Sequence, residues 1–217
     1  MKAYLTEFIG TFFLVLTIGL STNQPGVAPA PLAIGAALMV MVYMGGPISG
    51  AHYNPAVTIA VWLRGKLAAK DVFPYLLAQL AGAMNAALVV TAILGVSFAP
   101  APAFGVEIGK ALLVEFLFTF ALALVVLNVA TSSKSAGNSY FGLAIGFTVC
   151  AAAFAGGGIS GGAYNPAVGV GPALARLLTG SGDAPPGVWI YLVGPFAGGV
   201  AASLVYRLQN PDEFAPR

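Results

Sequence analysis

Two short motifs contain the residue types with a definite chemistry in this sequence. Asn54-Pro55-Ala56 and Asn165-Pro166-Ala167 each join a residue that favours the helix N-cap to a proline that fits the first helical turn. We therefore expect a helix to begin at each motif. A helix N-terminus carries about half a positive charge, and an asparagine that caps with its oxygen keeps its two amide N–H donors free. Two such sites facing each other would bind the oxygen of a water or a hydroxyl group and would oppose cations.

The motifs belong to a longer internal repeat. Residues 48–57 and 159–168 are identical at eight of ten positions. Two flanking matches extend it: Glu7-Phe8 with Thr11-Phe12 recurs as Glu115-Phe116 with Thr119-Phe120, and Ala33-Ile34-Gly35 recurs as Ala144-Ile145-Gly146. We interpret the chain as a single membrane domain, residues 1–217, built from two repeats at about residues 1–102 and 103–217.

The composition places these motifs in a membrane. Of the 217 residues, 59% are hydrophobic and only 7% are charged, whereas about a quarter of the residues of a soluble domain are charged. The net charge of +2, without a basic run, excludes nucleic acid as a partner. One cysteine, Cys150, and one histidine, His52, provide neither a disulfide nor a metal site, so we expect no metal and no cofactor. A pore, a carrier, a membrane enzyme and a scaffold remain.

Apolar runs of spanning length predict the fold class, an all-α membrane protein with six transmembrane helices. They lie at about residues 3–20, 32–44, 72–96, 107–129, 140–154 and 188–206. Clusters of Gly and Pro predict breaks between Ser21 and Pro31 and at Gly45-Gly46-Pro47. The broken stretches 47–63 and 156–178 predict two re-entrant half-helices. Three spans per repeat invert the second copy relative to the first.

This arrangement predicts an aqueous path through the bundle, because non-helical backbone at membrane depth is tolerated only where protein buries it or where it lines a water-filled cavity. Residues 47–52 and 158–163 are expected to be extended. Their carbonyl groups would form a ladder of acceptors at Ser49, Gly50, Ala51, His52, Ser160, Gly161 and Ala163. We interpret Glu7 and Glu115 as structural supports that accept hydrogen bonds from the loop N–H groups, with proton coupling as the alternative.

Together these residues resemble the aquaporin, or major intrinsic protein, family. The resemblance rests on the two Asn-Pro-Ala motifs, the Ile-Ser-Gly-Ala-His lead-in, the Glu-Phe-x-Gly-Thr-Phe segment of the first helix and Gly-Pro-Phe-Ala-Gly-Gly at residues 194–199. It covers almost the whole chain. The resemblance implies a right-handed bundle that acts as a passive channel for water and small neutral solutes. It also implies a homotetramer in the lipid bilayer with one pore in each subunit.

The sequence departs from that family at one position. The family usually has an arginine after the second motif, where it forms the narrowest constriction with three other residues. Alignment on the second motif places Gly162 and Val168 at this selectivity filter, and alignment through the two Ala-Ile-Gly segments places Ile34 and Ala153 there. The filter would be wide, uncharged and apolar, so cation exclusion would depend mainly on the half-helix dipoles. We therefore expect water to pass together with glycerol, urea or neutral metalloid hydroxides such as arsenite.

The positions of lysine and arginine predict the orientation of the chain. Seven lie on the side of the N-terminus and two, Lys110 and Arg176, lie on the other; the seven are Lys2, Arg64, Lys66, Lys70, Lys134, Arg207 and Arg217. The positive-inside rule then puts both termini in the cytoplasm, in a plasma or inner membrane. The first ten residues lack the features of a cleaved signal peptide, so the first helix is expected to be retained.

Other functions stay open from the sequence. A strictly water-selective channel is one alternative, because Gly169 and Ala173 lack the residues typical of glycerol facilitators. A coupled carrier would need a titratable group at the pore, and the motif region offers only His52, which we interpret as a structural residue. An anion-leaky pore is a third alternative. We predict no enzymatic activity, since no carboxylate is placed to orient His52 as a base for a serine nucleophile.

Overall fold

The computed structural model describes residues 1–24 and 29–214. Part of the predicted break between Ser21 and Pro31, and Arg217 from the charge count, lie outside the described residues. The chain forms eight α-helices in the described part: α1 Lys2–Thr22, α2 Ala30–Ser49, α3 Pro55–Leu63, α4 Ala69–Leu94, α5 Ile108–Val126, α6 Phe141–Ser160, α7 Pro166–Thr179 and α8 Ile190–Gln209. A π-helical turn, Leu127–Thr131, prolongs α5, and 3-10 turns follow at Ser133–Ser135 and Pro211–Glu213.

Six of these helices are long and apolar enough to cross a membrane: α1, α2, α4, α6, α8, and α5 together with its π-helical extension. The helices α3 and α7 are shorter and follow the two Asn-Pro-Ala motifs. No β-strand occurs within residues 1–24 and 29–214. The predicted fold class, six spans and two half-helices without a sheet, is therefore confirmed.

The helices pack in the same pattern in each repeat. In the first repeat α1 packs against α2 and α4, and in the second α5 packs against α6 and α8. Two equivalent glycines allow these close crossings, because a Cβ atom at Gly82 would overlap the Phe8 carbonyl and one at Gly198 would overlap the Phe116 carbonyl. The half-helices cross between repeats, since α3 packs against α8 and α7 packs against α4. The centre of the bundle is therefore built jointly by both repeats.

The predicted break at Gly45-Gly46-Pro47 is wrong, because α2 continues without interruption to Ser49. Its glycine has a packing role: a Cβ atom at Gly45 would overlap the hydroxyl of Tyr53. The helix α6 likewise continues to Ser160, past its predicted end at residue 154. The non-helical segments before the motifs are consequently shorter than predicted, residues 50–54 and 161–165 instead of 47–52 and 158–163.

Polar contacts bring both ends of the described chain to one face of the bundle. The Tyr4 hydroxyl at the start of α1 donates to Asp71 at 2.6 Å. Arg64, at the end of α3, forms a buried ion pair with Glu213 in the turn after α8. Lys134 lies 3.4 Å from Asp212 in the same turn. Arg64 and Lys134, two of the cationic positions assigned to the N-terminal side, thus lie on this face.

Glu213 is the centre of this contact. Its carboxylate accepts hydrogen bonds from the hydroxyls of Ser132 and Tyr206 and from the backbone N–H of Ser133, each at 2.8 Å. Desolvation raises the pKa of this carboxyl, but the hydrogen bonds from Ser132, Tyr206 and Ser133 outweigh it and lower the pKa to about 2. The turn after α8 therefore holds the segment that follows α5 in place.

Candidate functional site

The two Asn-Pro-Ala motifs start the half-helices as predicted. The side-chain oxygen of Asn54 accepts the backbone N–H of Ala56 at 2.9 Å, and that of Asn165 accepts the N–H of Ala167 at 2.9 Å. Pro55 and Pro166 occupy the first helical positions, where the missing N–H is not needed. Both alanines are fully buried. Each half-helix therefore directs its positive N-terminal end toward the middle of the bundle.

The asparagine side chains also connect the two repeats. The amide of Asn54 donates to the carbonyl of Tyr164 at 2.9 Å, and the amide of Asn165 donates to the carbonyl of Tyr53 at 2.8 Å. The expectation of two free N–H donors on each asparagine is therefore wrong, because one of the two hydrogens is used in this contact. One donor per asparagine is left for a solute, which makes two donors at the centre of the path.

Glu7 anchors the loop before the first motif through hydrogen bonds. Its carboxylate accepts the Ser49 hydroxyl at 2.6 Å, the His52 N–H at 3.0 Å and the Tyr53 N–H at 2.7 Å. The amide of Gln79 adds a fourth donor at 2.8 Å. The Glu7 side chain is completely buried. The loop and Gln79 together use its acceptor capacity, and the loop contacts are those predicted for a structural support.

Glu115 makes the equivalent contacts in the second repeat. It accepts the Ser160 hydroxyl at 2.7 Å, the Ala163 N–H at 3.0 Å and the Tyr164 N–H at 2.6 Å. The position equivalent to Gln79 is Pro195, which has no side-chain donor. Glu115 therefore has one donor fewer than Glu7, an asymmetry that the sequence repeat did not indicate.

The tyrosines before the motifs lock the loops into an unusual backbone conformation. Tyr53 and Tyr164 have φ values of 48° and 49°, in the left-handed region that non-glycine residues rarely adopt. Their hydroxyls donate to the carbonyls of Met41 and Ala152, each at 2.9 Å. The Tyr53 ring lies against Gly10, where a Cβ atom would overlap it. Burial and hydrogen bonding thus hold these strained residues in place.

Two of the residues assigned to the carbonyl ladder belong to the framework instead. Ser49 and Ser160 are the last residues of α2 and α6, and their carbonyls accept the hydroxyls of Tyr75 at 2.7 Å and Tyr191 at 2.5 Å. Since their own hydroxyls bind the buried glutamates, we withdraw them from the ladder. Of the other ladder residues, Ala51, His52 and Ala163 line the central cavity, as do Tyr53 and Tyr164.

Gly50 and Gly161 do not line the central cavity. Gly50 lines two vestibules that adjoin the cavity at one end. Gly161 faces the backbone of Ala101, because a Cβ atom there would lie 2.6 Å from the Ala101 carbonyl oxygen. Both glycines have φ values near 90° and end a helix, so their conformation is required for the chain to leave α2 and α6.

A narrow cavity of about 30 Å³ surrounds the two asparagines. Residues 51–54 and 162–165, which include both asparagines and His52, form one wall. The remaining wall is apolar and is formed by Leu14, Ile18, Ile34, Leu38, Val57, Leu122, Val126, Ile145, Val149 and Val168. Among the described residues, no Asp, Glu, Lys or Arg lines it. The cavity can therefore hold a polar, uncharged molecule with one hydrogen-bonding side.

Three of the four predicted filter residues, Ile34, Gly162 and Val168, line this cavity. Ala153 does not, and Val149, one turn earlier on α6, lines it instead. Arg176, in the last turn of α7, does not line the cavity either.

His52 is held within a polar network. Its Nδ1 atom lies 3.2 Å from the hydroxyl of Thr58, and its ring centroid lies 5.2 Å from that of Tyr75. The amide of Gln79 donates to the same Thr58 hydroxyl at 2.9 Å. Thr58 and Gln79 were missed from the sequence, because Gly169 and Pro195 stand at the equivalent positions of the second repeat. His52 therefore has the hydrogen-bonded environment expected of a structural residue.

The comparisons with known proteins agree with this geometry. Residues 1–206 match the profile of a family described as "Major intrinsic protein". The chain belongs to the major intrinsic protein family. It is accordingly a multi-pass membrane protein of a channel family.

Several major intrinsic proteins resemble the chain over nearly its whole length. "Aquaporin NIP1-4" of Oryza sativa subsp. japonica is 37% identical over 96% of this chain and 77% of its own. "Glycerol uptake facilitator protein-like 6" of Lactiplantibacillus plantarum is 34% identical over 98% of this chain and 100% of its own. The X-ray structure of the aquaglyceroporin from Plasmodium falciparum covers 98% of both chains with a TM-score of 0.87 and 24% identity, which supports the fold.

Proposed function

We propose that this major intrinsic protein is a passive pore for water and small neutral solutes. The observation that carries the proposal is the cavity around Asn54 and Asn165, which has one hydrogen-bonding wall and one apolar wall. A solute with hydroxyl or amide groups can exchange its hydration for contacts with the polar wall. Its carbon skeleton can lie against the apolar wall. An ion would lose its hydration without an opposite charge to replace it.

The centre of the path opposes cations. Both half-helices direct their N-termini toward it, and each asparagine keeps one N–H donor for a passing oxygen. A water molecule that accepts hydrogen bonds from both asparagines has both lone pairs occupied, and it directs its two hydrogens away from them. A chain of waters is then interrupted as a route for protons.

The solutes proposed are water, glycerol, urea and neutral metalloid hydroxides such as arsenite. Val168 supports this range, because it contributes neither the charge nor the bulk of an arginine to the cavity wall. Relatives whose names describe an aquaporin and a glycerol uptake facilitator-like protein support it as well. We assign the pore centre to residues 54–56 and 165–167 and the selectivity filter to Ile34, Gly162 and Val168, without catalytic residues.

The proposed assembly is a homotetramer with one pore per subunit, in a plasma or inner membrane. Large apolar side chains such as Phe13, Leu113 and Phe147 are about half exposed on the spanning helices, which suits contact with lipid or a second subunit. The face that carries Lys134, Arg64 and the start of α1 is proposed to be cytoplasmic. The whole chain is proposed to act as one domain of two inverted repeats.

Stopped-flow light scattering on proteoliposomes tests this function. Wild-type protein should accelerate both osmotic water flux and glycerol influx, and neither rate should respond to a pH gradient. Val168→Arg should suppress glycerol influx, since it adds bulk and charge to the cavity. Leu208→Arg adds the same charge at an 81% exposed position and is the matched control.

Each outcome of this experiment is informative. Wild-type protein that passes neither water nor glycerol would exclude the proposed pore. Saturating uptake driven by a pH gradient would favour a coupled carrier. Unchanged glycerol influx in Val168→Arg would show that Val168 does not belong to the filter.

A further inference from the structure

The central cavity has an internal symmetry that extends to every residue lining it. The eighteen residues form nine repeat-equivalent pairs, separated by 108 residues in the first helix of each repeat and by 111 residues elsewhere. The pairs are Leu14 and Leu122, Ile18 and Val126, Ile34 and Ile145, Leu38 and Val149, Ala51 and Gly162, His52 and Ala163, Tyr53 and Tyr164, Asn54 and Asn165, and Val57 and Val168. In particular, the filter residue Val168 is equivalent to Val57.

The same equivalence defines a second set of residues opposite the filter. The predicted filter, Ile34, Ala153, Gly162 and Val168, which we call the filter ring, corresponds position by position to Ile145, Val42, Ala51 and Val57. Ala153 does not line the central cavity, whereas Val42 lines an adjoining vestibule together with Ile145. We call this second set the mirror ring. Because the repeats are inverted, it lies on the other side of the asparagine pair. The absence of a filter arginine makes the two rings directly comparable, since both are uncharged and apolar.

The mirror ring is the bulkier of the two. Ile145 matches Ile34, and Val57 matches Val168, so these positions do not differ in size. The other two do differ, because Val42 replaces the alanine and Ala51 replaces the glycine of the filter ring. Val42 and Ala51 are 2% and 6% exposed, whereas Ala153 and Gly162 are both partly exposed. These two differences give the mirror ring three more side-chain carbon atoms than the filter ring.

A polar group stands beside the mirror ring and has no counterpart at the filter ring. His52 lines both the central cavity and the adjoining vestibule, and its equivalent in the second repeat is Ala163. Its Nδ1 atom is engaged by Thr58. Within residues 1–24 and 29–214, the Nε2 atom has no protein hydrogen-bond partner. A solute at this level can therefore hydrogen-bond to the imidazole while it passes between the apolar side chains.

We infer that the mirror ring, Val42, Ala51, Val57 and Ile145, is the size-discriminating constriction of this pore, with His52 as its polar contact. The inference rests on the proposed function, since it concerns which solutes the same path admits. Pore diameter and the hydrogen-bonding groups that line it determine the selectivity of such channels. The filter ring, which the family pattern designates, then has a smaller influence on solute size in this chain.

Two identical substitutions at equivalent positions test the inference. Ile145→Ala widens the mirror ring, and Ile34→Ala removes the same atoms from the filter ring. Proteoliposome influx of glycerol and of the larger polyol erythritol is measured for both, together with osmotic water flux. We expect Ile145→Ala to raise the erythritol-to-glycerol ratio about threefold and Ile34→Ala to raise it clearly less. Leu208→Ala, at an 81% exposed position, should leave the ratio unchanged.

The milder pair Ile145→Val and Ile34→Val replaces the alanine variants if either fails to fold, and it should show the same order. A larger rise with the Ile34 substitutions, or equal rises, would overturn the inference while leaving the proposed function intact. If wild-type protein passes water but not glycerol, the inference requires Ile145→Ala to admit glycerol and Ile34→Ala to admit less. If wild-type protein passes neither, the proposed function fails and the inference fails with it.

Discussion

The amide nitrogen of Asn54 lies 2.9 Å from the carbonyl oxygen of Tyr164 and donates a hydrogen bond from one repeat to the other. The reciprocal bond joins Asn165 to Tyr53 at 2.8 Å. Each asparagine therefore caps its own half-helix with its oxygen and binds the opposite loop with its nitrogen. The two helix N-termini cannot move apart without loss of both contacts, so the geometry of the pore centre is fixed by the repeats together.

This reciprocal contact predicts the effect of Asn54→Asp. Aspartate retains the acceptor for the Ala56 N–H, but it places a carboxylate against the Tyr164 carbonyl, which is also an acceptor. We expect the free energy of unfolding to fall by about 1–3 kcal/mol, the usual cost of a buried polar group left without its partner. The added negative charge should also weaken the positive potential of the centre. Denaturation in detergent and proton leak into dye-loaded proteoliposomes would measure the two effects.

Two further variants sharpen this prediction. Asn165→Asp should reproduce both effects, because its contacts are the repeat equivalents of those of Asn54. Asn85→Asp is the control, since Asn85 is exposed and donates only to a carbonyl of its own helix. Wild-type stability in Asn165→Asp would mean that the two motifs are not mechanically equivalent.

The sequence predicts the parts of the fold that depend on local chemistry. The half-helix starts at Asn54 and Asn165 follow from N-capping and from proline in the first turn, which involve neighbouring residues only. The prediction of a break at Gly45-Gly46-Pro47 was wrong because the role of these residues depends on contacts with a distant segment. Gly45 is required by Tyr53, a contact between separate segments of the bundle that no local pattern reveals.

Some of the residues that line the cavity could likewise be predicted from the sequence, and others could not. Gly162 and Val168 were placed by alignment on the second Asn-Pro-Ala motif and Ile34 by the repeated Ala-Ile-Gly segment, and all three line the cavity. Leu14 and Leu122 line it too, but an apolar residue of a spanning helix has the same sequence signature whether it faces lipid, a neighbouring helix or a pore. Leu14 and Leu122 are repeat equivalents, but this relation predicts that one of them lines the cavity only after the structure has shown that the other does.

The asymmetry between the two buried glutamates predicts different tolerance of serine substitution. Ser160→Ala leaves Glu115 with the N–H donors of Ala163 and Tyr164 only. Ser49→Ala leaves Glu7 with three donors, because Gln79 still contacts it. We expect Ser160→Ala to reduce the unfolding free energy by about 1–3 kcal/mol and Ser49→Ala to reduce it less.

Parallel denaturation of the two serine variants in one detergent measures this difference. The double variant Ser49→Ala with Gln79→Leu removes the extra donor as well. It should lose at least as much stability as Ser160→Ala. Equal losses in the two single variants would show that the Gln79 contact contributes nothing to the retention of Glu7.

The packing of Tyr53 predicts that Gly10 tolerates no side chain. A Cβ atom at Gly10 would overlap the Tyr53 ring, and that ring cannot move without disturbing the strained backbone before Asn54. We expect Gly10→Ala to reduce the unfolding free energy by about 1–3 kcal/mol, as overpacking usually does. Gly109→Ala is the control, because nothing lies within 4 Å of a Cβ atom there. That variant should be neutral or slightly more stable, since alanine favours a helix.

The ion pair of Arg64 and Glu213 predicts a pH dependence of stability. Hydrogen bonds from Ser132, Tyr206 and Ser133 overcome desolvation and lower the Glu213 pKa from 4.5 to about 2. A carboxyl whose pKa is lower in the folded state binds fewer protons there than in the unfolded state. Its contribution to stability is therefore complete above pH 4.5 and is lost as the pH falls toward 2.

Glu213→Gln should remove this contribution. We expect the variant to unfold at a lower temperature than wild type at pH 6 and to lose less of its stability between pH 5 and about 3. Glu107→Gln is the matched control, because Glu107 forms a surface pair with Lys110 and its side chain is 74% exposed; such pairs contribute little. If both variants lost stability in parallel with wild type as the pH fell, carboxyl groups other than Glu213 would account for the acid sensitivity. The turn after α8 would then dock mainly through the contacts of Phe214, whose ring lies 4.7 Å from the Arg64 guanidinium.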